Sequence, residues 1–132
     1  MAPHIASGEF VLINTMAYRF NTPARGDIVA FHHESDAPEL YIKRIVAIPG
    51  DTIRIDRGVV YLNGDVLREP YVAFGDTRTF PETHVGAHSV YVLGDNRANS
   101  EDSRFFGTVD DDQLIGRALF SVWPPSDIGA LR

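Results

Sequence analysis

The sequence holds 132 residues, of which 44% are apolar, 23% charged and 11% aromatic, the composition of one soluble globular domain rather than a disordered chain. It has no cysteine, which excludes a disulfide framework, cysteine-bound zinc, an iron–sulfur cluster and a thiol nucleophile. Twelve basic against 18 acidic side chains leave a net charge of −6, which opposes contact with phosphate backbones and argues against a nucleic-acid partner.

Along the chain, 11 glycines and 8 prolines fall between short apolar stretches, the pattern of many strands joined by tight turns. A mainly β fold is therefore expected, organised as a single domain over residues 1–132. The first residues lack the basic start and apolar centre of a signal peptide, so no export signal is expected in this chain. Strands are predicted over residues 9–14, 27–31, 41–48, 52–56, 59–62, 89–93 and 115–122. Apolar runs such as Phe10-Val11-Leu12-Ile13 and Ile45-Val46-Ala47-Ile48 stop at four residues, against roughly 20 for a membrane-spanning helix. Pro49-Gly50-Asp51 reads as a turn. Asn63-Gly64 between two apolar stretches is a two-residue hairpin signal, because both residues tolerate positive φ. Residues 71–87 carry little pattern and read as an irregular excursion. One or two short helical turns are expected, the best candidate lying around residues 110–114, where Asp110-Asp111-Asp112 suits a helix start and otherwise reads as a solvated acidic turn.

Two segments could carry chemistry. Gly94-Asp95-Asn96-Arg97-Ala98-Asn99-Ser100-Glu101-Asp102-Ser103-Arg104 follows the apolar strand Val90-Tyr91-Val92-Leu93. Its density of acids, arginines, asparagines and serines fits a buried hydrogen-bonded network, although the segment alone reads more readily as a solvated Asx-rich turn. It is no calcium loop, since alignment on Asp95 puts Arg97 where an oxygen ligand is required. In Tyr41-Ile42-Lys43-Arg44-Ile45, alternation puts Lys43 on one face with Tyr41 and Ile45. A lysine so placed is desolvated and can serve as a general base near neutral pH, which takes a shift of about three pKa units, roughly 4 kcal/mol. The competing reading is a pair of edge-strand charges, Lys43 and Arg44, that block aggregation. The five histidines show no helical i, i+4 pair of the kind that holds zinc, and neither a metal nor another cofactor is expected.

The order of Met1-Ala2-Pro3, Arg25-Gly26-Asp27-Ile28-Val29-Ala30-Phe31, Tyr41-Ile42-Lys43-Arg44 with Pro49-Gly50-Asp51, and Gly94-Asp95-Asn96-Arg97 through Asp102-Ser103-Arg104 resembles bacterial signal peptidase I, over nearly the whole chain. The resemblance implies a coiled antiparallel β-sheet fold of the signal-peptidase/LexA type and a membrane-associated serine endopeptidase with a Ser-Lys dyad. It implies Lys43 as general base and Ser100 as the hydroxyl that orients it. Asp95 with Arg44, and Asp102 with Arg104, resemble ion pairs bracing the loop, and Arg25-Gly26-Asp27 looks structural. Met1, Ile5, Tyr41 and Ile42 stand where the family has the walls of shallow pockets that admit Ala-X-Ala by size exclusion.

The family's nucleophilic serine directly precedes the position of Met1. The 132 residues are thus expected to lack the nucleophile, the serine's own N–H as an oxyanion donor and the anchoring segment, and to be inactive without the upstream serine. His4 stands where the family has Thr, and Ser7 lies in a turn that does not suit a substitute. The implied partners are signal peptides of exported pre-proteins and the membrane surface, on the extracytoplasmic face of the bacterial cytoplasmic membrane. A non-catalytic signal-peptide-binding module of the same fold is the alternative. A self-cleaving repressor fits less well, since the chain has no helix-turn-helix and the wrong charge for DNA.

Overall fold

A computed structural model describes residues 10–32, 40–72, 74–123 and 129–130. In chain order the elements are β1 (Phe10–Asn14), α1 (Ala17–Phe20), β2 (Ile28–Phe31), β3 (Tyr41–Ala47), β4 (Thr52–Asp56), β5 (Val59–Leu62), β6 (Asp65–Val66), β7 (Phe80–His84), β8 (Ser89–Leu93), α2 (Ser103–Phe106), β9 (Val109–Asp110), a 3₁₀ turn (Asp111–Gln113), β10 (Leu114–Trp123) and β11 (Gly129–Ala130). The fold is mainly antiparallel β. One sheet runs β1-β10-β2-β3-β8-β9 with β11 on β10, and a second runs β6-β5-β4-β7.

β3 is the hub. It pairs with β2 on one side, Val29 opposite Lys43, and with β8 on the other, Arg44 opposite Leu93. Alternation along β3 and β8 sends side chains to two cores. Ile45, Val90 and Val92 join Val29 and Phe31 in one. Val46, Ala47, Tyr91 and Leu93 join Ile53, Ile55 and Val60 of the second sheet in the other. A register shift between Ile45 and Ala47 lets two successive residues, Val46 and Ala47, serve the same core. Lys43 shares its side of β3 with Ile45, and Gly94 continues the side of β8 that carries Val90 and Val92.

The predicted hairpin forms: Asn63 and Gly64 have φ of 53° and 90° and Leu62 pairs with Asp65, the geometry of a type I′ turn. The turn at Pro49-Gly50-Asp51 is closed by Asp51, whose carboxylate accepts from Ile48 N at 2.9 Å, Asn63 Nδ2 at 3.0 Å, Arg25 Nε at 2.8 Å and Arg25 Nη2 at 2.6 Å. Burial opposes ionisation of this carboxyl, but the bonds from Arg25, Ile48 and Asn63 outweigh it and bring the pKa down to about 2. Because the folded value lies below the unfolded one, the stabilisation is complete above about pH 4 and disappears as pH falls toward 2. The shift corresponds to roughly 1–2 kcal/mol after allowance for the half-exposed Arg25. Urea midpoints should therefore show Asp51→Asn weakening the fold by that amount at pH 6 and by little at pH 2.

One expectation needs correction. The stretch 71–87 is not wholly irregular, because β7 pairs with β4 through Thr52–His84, Ile53–Thr83 and Ile55–Phe80. β7 is an edge strand with mostly exposed residues, a place where Pro81 is tolerated and apolar alternation is not needed. Among the described residues, helical structure is confined to short segments, as expected. Around 110–114 the expected turn is the 3₁₀ segment, capped reciprocally by Asp110 and Gln113. α1 and α2, at four residues each, are too short to show helical periodicity. Arg25-Gly26-Asp27 leads into β2, with Gly26 N donating to Ile45 O and Ile45 N to Asp27 O, both at 2.8 Å, while Tyr18 Oη donates to Asp27 at 2.8 Å. Among the described residues no helix is long and apolar enough to cross a membrane.

Candidate active site

Lys43 sits in the middle of β3, and its Nζ donates to Ser100 Oγ at 3.0 Å. Burial pushes the lysine pKa below its ordinary value; Asp102, Glu101 and Asp95 oppose that lowering, while Arg104 adds to it. The net direction favours a neutral amine more than in any exposed lysine, which is the requirement for taking a proton near neutral pH. The interior position of β3 excludes the edge-charge reading, since it is paired with β2 on one side and β8 on the other. Lys43 is also the only lysine in the chain, every other basic side chain being arginine.

The loop that carries Ser100 is held from several sides. Arg44, beside Lys43, forms a buried fork with Asp95, Nε to Oδ1 at 2.9 Å and Nη2 to Oδ2 at 2.8 Å, and its Nη1 reaches Gly26 O at 3.2 Å. Asp102 accepts from Gly94 N at 3.0 Å, from Arg104 N at 3.2 Å and from Arg104 Nε and Nη2 at 2.8 and 3.0 Å. It thereby caps α2 and fastens the loop's beginning to its end. Arg104 also donates to Asp76 at 3.1 Å. Such charge-assisted, buried pairs fix geometry more than they add stability.

Two further residues of the loop contribute, neither with a role assigned from the sequence alone. Gly94 leaves room for the hydroxyl: a Cβ at this position would lie 2.1 Å from Ser100 Oγ and 3.5 Å from Lys43 Nζ. A glycine directly after an apolar strand is the cue for such a close approach. Ser103 Oγ accepts from Val92 N at 2.9 Å, anchoring α2 to β8. Beside Ser100 an open groove of about 360 Å³ is bounded by Arg78, Ala98, Asn99, Glu101 and Phe105.

Tyr41 is half-buried, its ring edge-on to Phe31 at 5.7 Å and stacked on Phe106 at 5.9 Å. Ile42 is half-buried and pairs with Ala30. Met1, His4, Ile5 and Ser7 lie outside the described residues. Among the described residues no group of three or more His, Asp or Glu side chains is arranged to hold a metal ion. The arrangement is suited to proton transfer by Lys43 under the control of one hydroxyl.

Residues 1–123 match the family model described as Signal peptidase, peptidase S26. The chain is 35% identical over 138 residues to a probable signal peptidase I-1 of Synechocystis sp., covering 99% of this chain and 70% of that one. It is 35% identical over 145 residues to signal peptidase IB of Staphylococcus aureus, covering 96% and 75%. A crystal structure of a signal peptidase I from Enterococcus faecalis superposes with a TM-score of 0.64 at 30% identity, over 74% of this chain and 97% of that one.

Proposed function

The chain belongs to the signal peptidase I family of serine endopeptidases, and on that premise we propose that it removes N-terminal signal peptides from exported pre-proteins after Ala-X-Ala. The observation that carries this reading is the half-buried Lys43 amine, 3.0 Å from Ser100 and depressed in pKa. In this mechanism the hydroxyl of a serine immediately ahead of Met1 attacks the scissile carbonyl carbon while neutral Lys43 takes its proton. The resulting ammonium returns that proton to the departing amine as the C–N bond breaks, leaving an acyl-serine. Lys43 then takes a proton from water, whose oxygen attacks the acyl carbon, and the ammonium returns that proton to the departing serine oxygen. This restores the serine hydroxyl and the neutral amine and releases the signal peptide with a free C-terminal carboxyl group, which ionises in water.

Ser100 accepts a hydrogen bond from the lysine and so fixes the rotamer through both half-reactions. The Asp95–Arg44 and Asp102–Arg104 pairs hold strand and loop at the required separation. Selection of alanine over bulkier side chains is assigned, as the family resemblance implies, to Met1, Ile5, Tyr41 and Ile42, of which Tyr41 and Ile42 lie half-buried on β3. The substrate lies extended, as an added strand, at the extracytoplasmic face of the cytoplasmic membrane.

A chain bearing serine directly before Met1 should cleave an Ala-X-Ala peptide, and the 132 residues alone should not. Turnover by the 132 residues that disappears on Ser7→Ala would overturn the assignment of the nucleophile. Binding of the peptide without cleavage by the serine-bearing chain would favour the signal-peptide-binding module instead.

A further inference from the structure

The connector that follows β6 sends two side chains into the site from outside every motif. Glu69 forms a fork with Arg97, Oε1 to Nη1 at 3.1 Å and Oε2 to Nη2 at 2.5 Å, and the two side chains are only 10% and 4% exposed. The third guanidinium nitrogen, Arg97 Nε, donates to Gly94 O at 2.7 Å. Arg97 is thus held by a carboxylate on one edge while it holds, on the other, the backbone of the glycine against which Ser100 packs. Two residues further along, the Tyr71 ring lies 4.1 Å from the guanidinium of Arg44, the neighbour of Lys43 in β3, and the Tyr71 hydroxyl donates to Glu69 Oε2 at 3.3 Å. One short segment, Glu69-Pro70-Tyr71, therefore touches both the strand that carries the lysine and the loop that carries the serine. Pro70 fixes its own φ between them.

We propose that Glu69, acting with Tyr71, is a positioning residue for the Lys43–Ser100 pair, setting the separation between β3 and the loop through Arg97 and Arg44. The proposal rests on the reading of Lys43 as the general base. Without the Glu69 charge, Arg97 is a buried cation lacking its partner, a state relieved by turning the guanidinium toward water. That rotation releases Gly94 O, the loop loosens, and Ser100 leaves the amine. Apart from burial, the charges that act on the Lys43 amine are Asp102, Glu101 and Asp95, which raise its pKa, and Arg104, which lowers it; Glu69 is not among them and works through geometry. The sign separates the two routes. Admitting water to Lys43 raises its titration midpoint, whereas losing a distant negative charge without movement lowers it.

Because the chain has one lysine, [ε-13C]lysine labelling yields a single side-chain signal whose pH titration belongs to Lys43. That titration and thermal melting should be recorded for the full chain, Glu69→Gln and Tyr71→Leu, with kcat and KM for the serine-bearing forms. The expected result is a midpoint about one unit higher and kcat at pH 7 about tenfold lower, the loss of neutral amine that one unit implies, with KM within about twofold. Folded variants that melt earlier but leave the Lys43 titration and kcat unchanged would overturn the proposal and reduce the segment to a structural brace. Should Glu69→Gln fail to fold, Tyr71→Leu decides by the same readouts. If the titration moves as expected while Lys43→Met leaves cleavage intact, the positioning role stands and the general-base reading fails.

Discussion

Lys43→Met in the serine-bearing chain should lower kcat by about 10²- to 10⁴-fold, the contribution of a positioned general base, with KM nearly unchanged. Methionine keeps the length of the side chain and removes the ionisable group, so packing along β3 survives. The melting temperature should hold or rise, because the variant no longer places an amine in a desolvated position. Lys43→Arg is the sharper control. A guanidinium retains the positive charge but cannot give up its proton at any accessible pH, so this variant should be as inactive as Lys43→Met. Recovery of activity in Lys43→Arg would mean that charge, rather than proton transfer, is what the site requires.

Gly94→Ala should be nearly as damaging although it adds one methyl group. The new Cβ would fall 2.1 Å from Ser100 Oγ and 2.7 Å from Ser100 Cβ, inside van der Waals contact, and Gly94 has little freedom to retreat. Its N–H is bonded to Asp102 and its carbonyl to Arg97. The serine must move instead, by an ångström or more, and a misplacement of that size costs on the order of 10²-fold in rate. Stability should fall by about 1–3 kcal/mol, as for other overpacked sites. Removing the obstructing side chain in Gly94→Ala/Ser100→Gly should restore the melting temperature and leave kcat low, which separates strain from loss of the orienting hydroxyl. Full activity in Gly94→Ala would show that Ser100 does not have to sit where it does.

Much of the scaffold was legible because local chemistry and tertiary structure agree. Asn63-Gly64 needs positive φ and obtains it, and the apolar alternation of β3 and β8 matches two cores that flank them. The apolar setting of Lys43 was also visible. Its neighbours alone, however, favour an edge charge over a desolvated base, and only the position of β3 between β2 and β8 decides against that reading. The four-residue α2 escapes periodicity altogether; its one cue is Asp102, whose role as helix cap is hidden behind its pairing with Arg104. β7 escapes because an exposed edge strand needs no apolar face. The Glu69–Arg97 fork joins residues 28 apart in sequence, and nothing in the intervening chain says that they meet. Gly94 shows a different limit. Its importance lies in an atom it does not have, and a sequence cannot say what would occupy that space.

The central claim is that β3 and the loop 94–104 together turn one lysine into a base. Titration of the single [ε-13C]lysine signal in the full chain tests it most directly. The account predicts a midpoint below that of an ordinary exposed lysine, in line with burial as the dominant influence. A midpoint at or above the ordinary lysine value would contradict it, because an amine that stays protonated at neutral pH cannot take a serine proton.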